Sequence, residues 1–115
     1  MTNLNNKKFQ LLENAKSGEV SGDTTFLFSQ EGNIIEAKYH GGSITKGQIL
    51  GLLDNSNHTI AMSYHCVTDQ NEIKVGKALA NISYDTSKRI HLKLDWEWVS
   101  GAEGKGSSHY VESDQ

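Results

Sequence analysis

In the segment Ile90-His91-Leu92-Lys93-Leu94-Asp95-Trp96-Glu97-Trp98 every even position is apolar and every odd one polar. A period of two places the two sets on opposite faces of an extended chain, so this segment predicts a strand with one buried and one wet face. Val20 to Phe28 repeats the pattern more loosely, with Phe26 and Phe28 on one face. Asn33 to Tyr39 aligns Ile35, Ala37 and Tyr39, and Ile60 to Cys66 aligns Ile60, Met62, Tyr64 and Cys66. Thr45 to Leu53 and Ile73 to Ala80 are rich in helix-tolerant Gln, Lys, Leu and Ala, but they carry Gly47, Gly51 and Gly76. Each glycine costs about 0.5–1 kcal/mol against alanine inside a helix. Both segments therefore read as strands, with glycine at bends or bulges.

Turn chemistry punctuates these segments at Lys16-Ser17-Gly18, Glu31-Gly32-Asn33, Gly41-Gly42-Ser43, Asp54 to His58, Asp69 to Glu72, Asp85 to Lys88 and Ser100 to Gly104. Seven turns separate eight strand-length segments. A parallel crossover needs about a dozen or more connecting residues, usually a helix, and no linker has that room. Sequence neighbours are then antiparallel neighbours in space. Eight such strands leave two exposed edges unless the sheet closes, and closure removes them. The expected fold is all-β, an eight-stranded antiparallel up-and-down barrel, whose interior is filled by side chains or holds one small ligand.

Composition narrows the picture further. The 115 residues fit one domain spanning 1–115, with 1–6 and 113–115 expected as flexible termini. The chain has no proline and eleven glycines, so its turns depend on Gly, Asn, Asp and Ser. Cys66 is the single cysteine, which excludes an internal disulfide framework and permits a reducing, cytoplasmic location. The N-terminal residues show no secretory pattern, and no run approaches the about 18 apolar residues of a membrane helix. A net charge of -3 with scattered lysines argues against nucleic acid or a membrane surface as partner.

Candidate chemistry is sparse. His65 and Cys66 are adjacent on a strand and point to opposite faces. His91 and Asp95 share a face but lie about 13 Å apart at strand rise. No local pair has ligand spacing, so no metal site is expected. Gly104-Lys105-Gly106-Ser107-Ser108 is not a nucleophile elbow, and Gly42 to Gln48 lacks the lysine and helix of a P-loop. Cys66 reads as a small core residue, and Glu36, Asp95 and Glu97 fall on the polar faces of their strands. No catalytic residue and no cofactor is assigned.

The aromatic residues carry more. Trp96, Trp98, Tyr64, Met62, Phe26 and Phe28 all fall on apolar faces. They either fill the barrel or wall a cup whose Tyr and Trp hydrogen-bonding groups face a ligand. The expected binding residues are Tyr39, Tyr64, Trp96 and Trp98. An enzyme acting inside the barrel is the alternative. Apolar neighbours Ile34-Ile35, Ile49-Leu50 and Leu52-Leu53 must each leave one member outside. Those outer residues, with Val67 and Val99, predict a homodimer or tetramer.

The run Tyr39-His40-Gly41-Gly42-Ser43-Ile44 followed by Gly47-Gln48-Ile49-Leu50-Gly51 resembles a family of small bacterial proteins. Met62-Ser63-Tyr64-His65 and Trp96-Glu97-Trp98-Val99-Ser100-Gly101 carry the same resemblance, which covers roughly residues 7 to 112. That family consists of avidin-like, or calycin-like, β-barrels without an established function. The resemblance implies the closed barrel and carries over no ligand-contacting residue; the small, partly apolar ligand is expected from the aromatic residues alone. Many members bear the label N-acetylglutamate synthase. An acetyl-CoA loop needs Q/R-x-x-G-x-G/A opening a helix, with amides around the pyrophosphate. The nearest match, Gln48 to Leu53, fails at its last position and runs into a turn.

Overall fold

A computed structural model describes residues 3–14, 24–56 and 58–113. Eight strands follow in order: β1 (Lys8–Asn14), β2 (Thr25–Glu31), β3 (Ile34–Gly41), β4 (Ile44–Leu53), β5 (Thr59–Thr68), β6 (Ile73–Tyr84), β7 (Ile90–Ser100) and β8 (Lys105–Glu112). Each pairs antiparallel with the next, and β1 pairs with β8, so the sheet closes into a barrel with strand order identical to chain order. The expected all-β up-and-down barrel is the observed fold. The expected turn at Lys16-Ser17-Gly18 and the stretch Val20 to Asp23 lie outside the described residues.

Six connections match the expected turn positions, and their chemistry sets the register. The two tightest hairpins turn at Gly32–Asn33 and Gly42–Ser43, with φ of 63° and 64° at the two glycines. A positive φ at the first central residue is the primed turn that suits strand twist. The β4–β5, β5–β6 and β6–β7 connections share a longer device. An acceptor side chain at the strand end caps the loop: Asp54 takes the N–H groups of His58 and Thr59, Thr68 those of Gln70 and Glu72, and Asp85 those of Ser87 and Arg89. Asn71 and Lys88 occupy the same left-handed position in two of these loops, at φ 59° and 67°.

The alternation of the sequence is the alternation of burial. Phe26 and Phe28, Ile35, Ala37 and Tyr39, and Ile60 and Met62 point inward, as do Ile90, Leu92, Leu94 and Trp96. The lower end, where β2–β3, β4–β5 and β6–β7 turn, is plugged by Leu4, Phe9, Ile35, Ile60 and Ile90, all buried. Leu4 lies ahead of β1 and is held by its N–H donating to Gln30 Oε1 at 2.8 Å. The barrel's middle is filled. A void among Phe26, Phe28, Ile49, Met62, Leu92, Leu94 and Tyr110 holds about 10 Å³, no more than one water needs.

Gly76 sits at a ladder irregularity, as expected of a glycine at a bulge, and Gly47 and Gly76 share a further task. Gly47 stands opposite Tyr39 in the ladder and Gly76 opposite Tyr64. A Cβ on Gly47 would lie 2.3 Å from Tyr39 Cζ, and one on Gly76 2.4 Å from Tyr64 Cζ. Each ring lies across its partner strand in the space a side chain would take. Ladder irregularities fall between Leu11 and Glu13, Tyr39 and Gly41, Ile44 and Lys46, and Val75 and Gly76.

Candidate functional site

Large rings and small partners segregate to the upper half of the barrel, toward the β3–β4, β5–β6 and β7–β8 connections. Tyr39 comes from β3, Tyr64 from β5, and Trp96 and Trp98 from β7, so three strands supply the four residues singled out in the sequence. Two of them pack directly on a third. Tyr64 meets Trp98 edge to face at 5.7 Å, and Trp98 lies 5.9 Å from Trp96. Tyr39 stacks on Phe26 at 4.8 Å, and Phe26 meets Tyr110 at 4.9 Å. Tyr39 and Trp96 are buried, whereas Tyr64 and Trp98 are half-buried and form the outer boundary of the cluster.

The rings carry polar atoms into this apolar surround. Tyr39 donates its hydroxyl to the His65 carbonyl at 3.2 Å, and Trp96 donates Nε1–H to Ser108 Oγ at 2.7 Å. No hydrogen-bond partner among the described residues meets the Tyr64 hydroxyl. Burial pushes the Tyr39 and Tyr64 phenols upward, and the neighbouring Cys66, Tyr64 and Tyr110 groups push the same way. Tyr110 is raised to about 12 by burial, against a hydrogen bond with Ser108. The cause is desolvation of the charged form. All three phenols are therefore protonated at neutral pH and able to donate a hydrogen bond.

Tyr110, Ser108 and Cys66 join this group, and the first two were missed in the sequence. Ser108 and Tyr110 share a parity in β8, and that alternation was the available signal. A second polar cluster lies outside the barrel at its lower end. His91 Nδ1 and His109 Nε2 stand 2.8 Å apart, and His91 Nε2 lies 2.9 Å from Asp85 Oδ2. Beside it Lys7 pairs with Glu112 at 2.8 Å. Burial opposes ionisation of Glu112, but the Lys7 ammonium and the Ile90 N–H outweigh it and hold its carboxyl below the usual range. Among the described residues no three His, Cys, Asp or Glu side chains converge on one ion position.

A small closed barrel with an aromatic, hydrogen-bonding upper end and a plugged lower end defines a recognisable class. A family model described as avidin-like protein matches residues 2–113. The chain belongs to the avidin-like protein family. A search of curated proteins finds no match, and a search of solved structures finds none. No helix among the described residues is long and apolar enough to cross a membrane.

Proposed function

We propose that the protein binds a small, planar, partly apolar molecule at the upper mouth of the barrel, on the faces of Tyr64 and Trp98 with Tyr39 and Trp96 behind them. The observation that carries this reading is the half-buried Tyr64 hydroxyl, which meets no partner among the described residues while its ring packs against Trp98. An amphipathic ring with an unused polar tip suits a ligand that stacks and accepts one hydrogen bond. The filled middle of the barrel restricts such a ligand to the mouth. Membership of an avidin-like family agrees with this role. Planar heterocyclic fragments screened by NMR should shift the Trp98 indole N–H, and Tyr64→Phe should weaken the hits about five- to tenfold, the loss of one hydrogen bond. Hits that leave that resonance unmoved would remove the proposal. A reducing, cytoplasmic setting belongs to the same reading, because the buried Cys66 is in no disulfide.

A second reading concerns a second copy of the chain. Ile34, Leu52, Ala61 and Leu79 are consecutive register partners across β3, β4, β5 and β6, and they point outward with Leu50 beside them. The large members are 43 to 58 % exposed. A contiguous outer row of this kind marks an interface, and the proposed assembly is a homodimer, or a tetramer built from it.

A further inference from the structure

His91 and His109 belong to β7 and β8, and their register partners, Val111 and Lys93, make them diagonal neighbours on the outer face. Their rings are 5.0 Å apart and tilted by 58°, with His91 Nδ1 facing His109 Nε2 at 2.8 Å. The other nitrogen of His91 meets Asp85 Oδ2 at 2.9 Å. Asp85 is itself fixed. It accepts Ser87 N–H at 2.8 Å, Arg89 N–H at 3.0 Å and Arg89 Nε–H at 3.0 Å. Because Asp85 Oδ2 also accepts from Arg89 Nε–H, it faces His91 Nε2 as an acceptor, and Nδ1 is the His91 nitrogen left to face His109.

The 2.8 Å contact is an N–H···N hydrogen bond, with His109 Nε2–H donating to His91 Nδ1. When that proton is displaced, the two ring nitrogens converge their lone pairs on one point, which a cation can occupy in its place. We propose that this pair is a site for a divalent transition-metal ion of the zinc, copper or nickel type, bound by His91 Nδ1 and His109 Nε2. Imidazole is a preferred ligand for that group of ions. A carboxylate on the far nitrogen is the arrangement that orients metal-binding histidines and raises their basicity. Zinc–nitrogen bonds of about 2.0–2.1 Å in tetrahedral geometry need the nitrogens about 3.3 Å apart. The rings open by about half an ångström to reach that, a small rotation about the side-chain torsions of His109. Two protein ligands leave the remaining positions to water, which makes the site exchangeable and not a closed structural centre.

Titration of the untagged full-length protein with Zn²⁺ at neutral pH, followed by calorimetry, tests this. One ion per chain is expected, lost in His91→Gln and in His109→Gln and weakened about 10–100-fold in Asp85→Asn. His58→Gln and His65→Gln, at exposed positions elsewhere, leave it unchanged. Substoichiometric Cu²⁺ added to the wild-type protein gives a readout that needs no variant. It should broaden the imidazole signals of His91 and His109 before any other. Absence of uptake, uptake that survives His109→Gln, or broadening centred on another histidine would each overturn the proposal.

Discussion

Gly47 and Gly76 lack side chains because the rings of Tyr39 and Tyr64 occupy the space one would take. Tyr39 cannot swing aside cheaply, since it stacks on Phe26 and donates to His65. Gly47→Ala should therefore cost about 1–3 kcal/mol, the range for overpacking a core, read as a lower urea midpoint. Gly76→Ala displaces the half-buried Tyr64 and should cost less, while shifting the emission of Trp98. Ser108 is the second sensitive position. It is buried and accepts the Trp96 indole N–H. Ser108→Ala leaves that donor without its acceptor and should cost about 1–3 kcal/mol. The sequence revealed which faces these residues occupy, because parity along a strand is visible in one segment. It did not reveal that each ring covers a glycine, because that pairing depends on register between strands. Tyr110 was hard to see because the inward parity of β8 reads Gly106, Ser108, Tyr110, so no run of alternating apolar residues marks the strand.

At the scale of elements, the turns were the most legible feature after the strands. Asp54 and Asp85 were marked as turn residues by type, and each caps its loop through one carboxylate oxygen. Ser56 Oγ–H and the Thr59 N–H hold Asp54 at about 2, and His91 with the Arg89 N–H holds Asp85 at about 2. A folded pKa below the unfolded one contributes stability that is fully present above the unfolded value, near 4, and is lost as pH falls through the folded value. The Tm should thus decline as the solution is acidified from about pH 4.5 to about 2. The Asp54→Asn, Asp85→Asn double variant should start lower at neutral pH and decline less steeply. An unchanged slope would mean that other carboxyls govern acid unfolding. The loops also carry strain at Lys88, whose φ of 67° brings its Cβ close to the following carbonyl oxygen. Asparagine tolerates that region better, so Lys88→Asn should add about 0.5 kcal/mol, measurable as a higher midpoint in urea. The His91–His109 contact lay beyond sequence reasoning altogether, since a diagonal pair on two strands has no fixed spacing in the chain.

At the scale of the whole molecule, closure followed from counting strands and asking where the edges go, whereas the filled interior required knowing how rings and glycines interlock. The outer surface was legible in part. The doublets Ile34-Ile35, Ile49-Leu50 and Leu52-Leu53 each put one residue outside, and Ile34, Leu50 and Leu52 are the exposed members. Leu79 extends the row onto β6, where an isolated leucine gave no doublet to notice. The neighbouring row reads Glu36, Leu50, Ser63, Lys77 across the same four strands. A two-fold axis running along the strands between β4 and β5 places each residue opposite its mirror position in the partner. Ile34 then meets Leu79 of the second copy, Leu52 meets Ala61, and Glu36 meets Lys77. Apolar contact in the centre with opposite charges at both rims is the self-complementarity that a closed dimer needs. Sedimentation should give twice the 12.7 kDa chain mass. Leu52→Glu should return the protein to single-chain mass with its β-sheet dichroism intact. Lys77→Glu should weaken association by setting two acids face to face, and Glu36→Lys added to it should restore the pairing with charges exchanged. A wild-type protein that sediments as a single chain at high micromolar concentration would rule the assembly out, and a double variant no tighter than Lys77→Glu would rule out this axis.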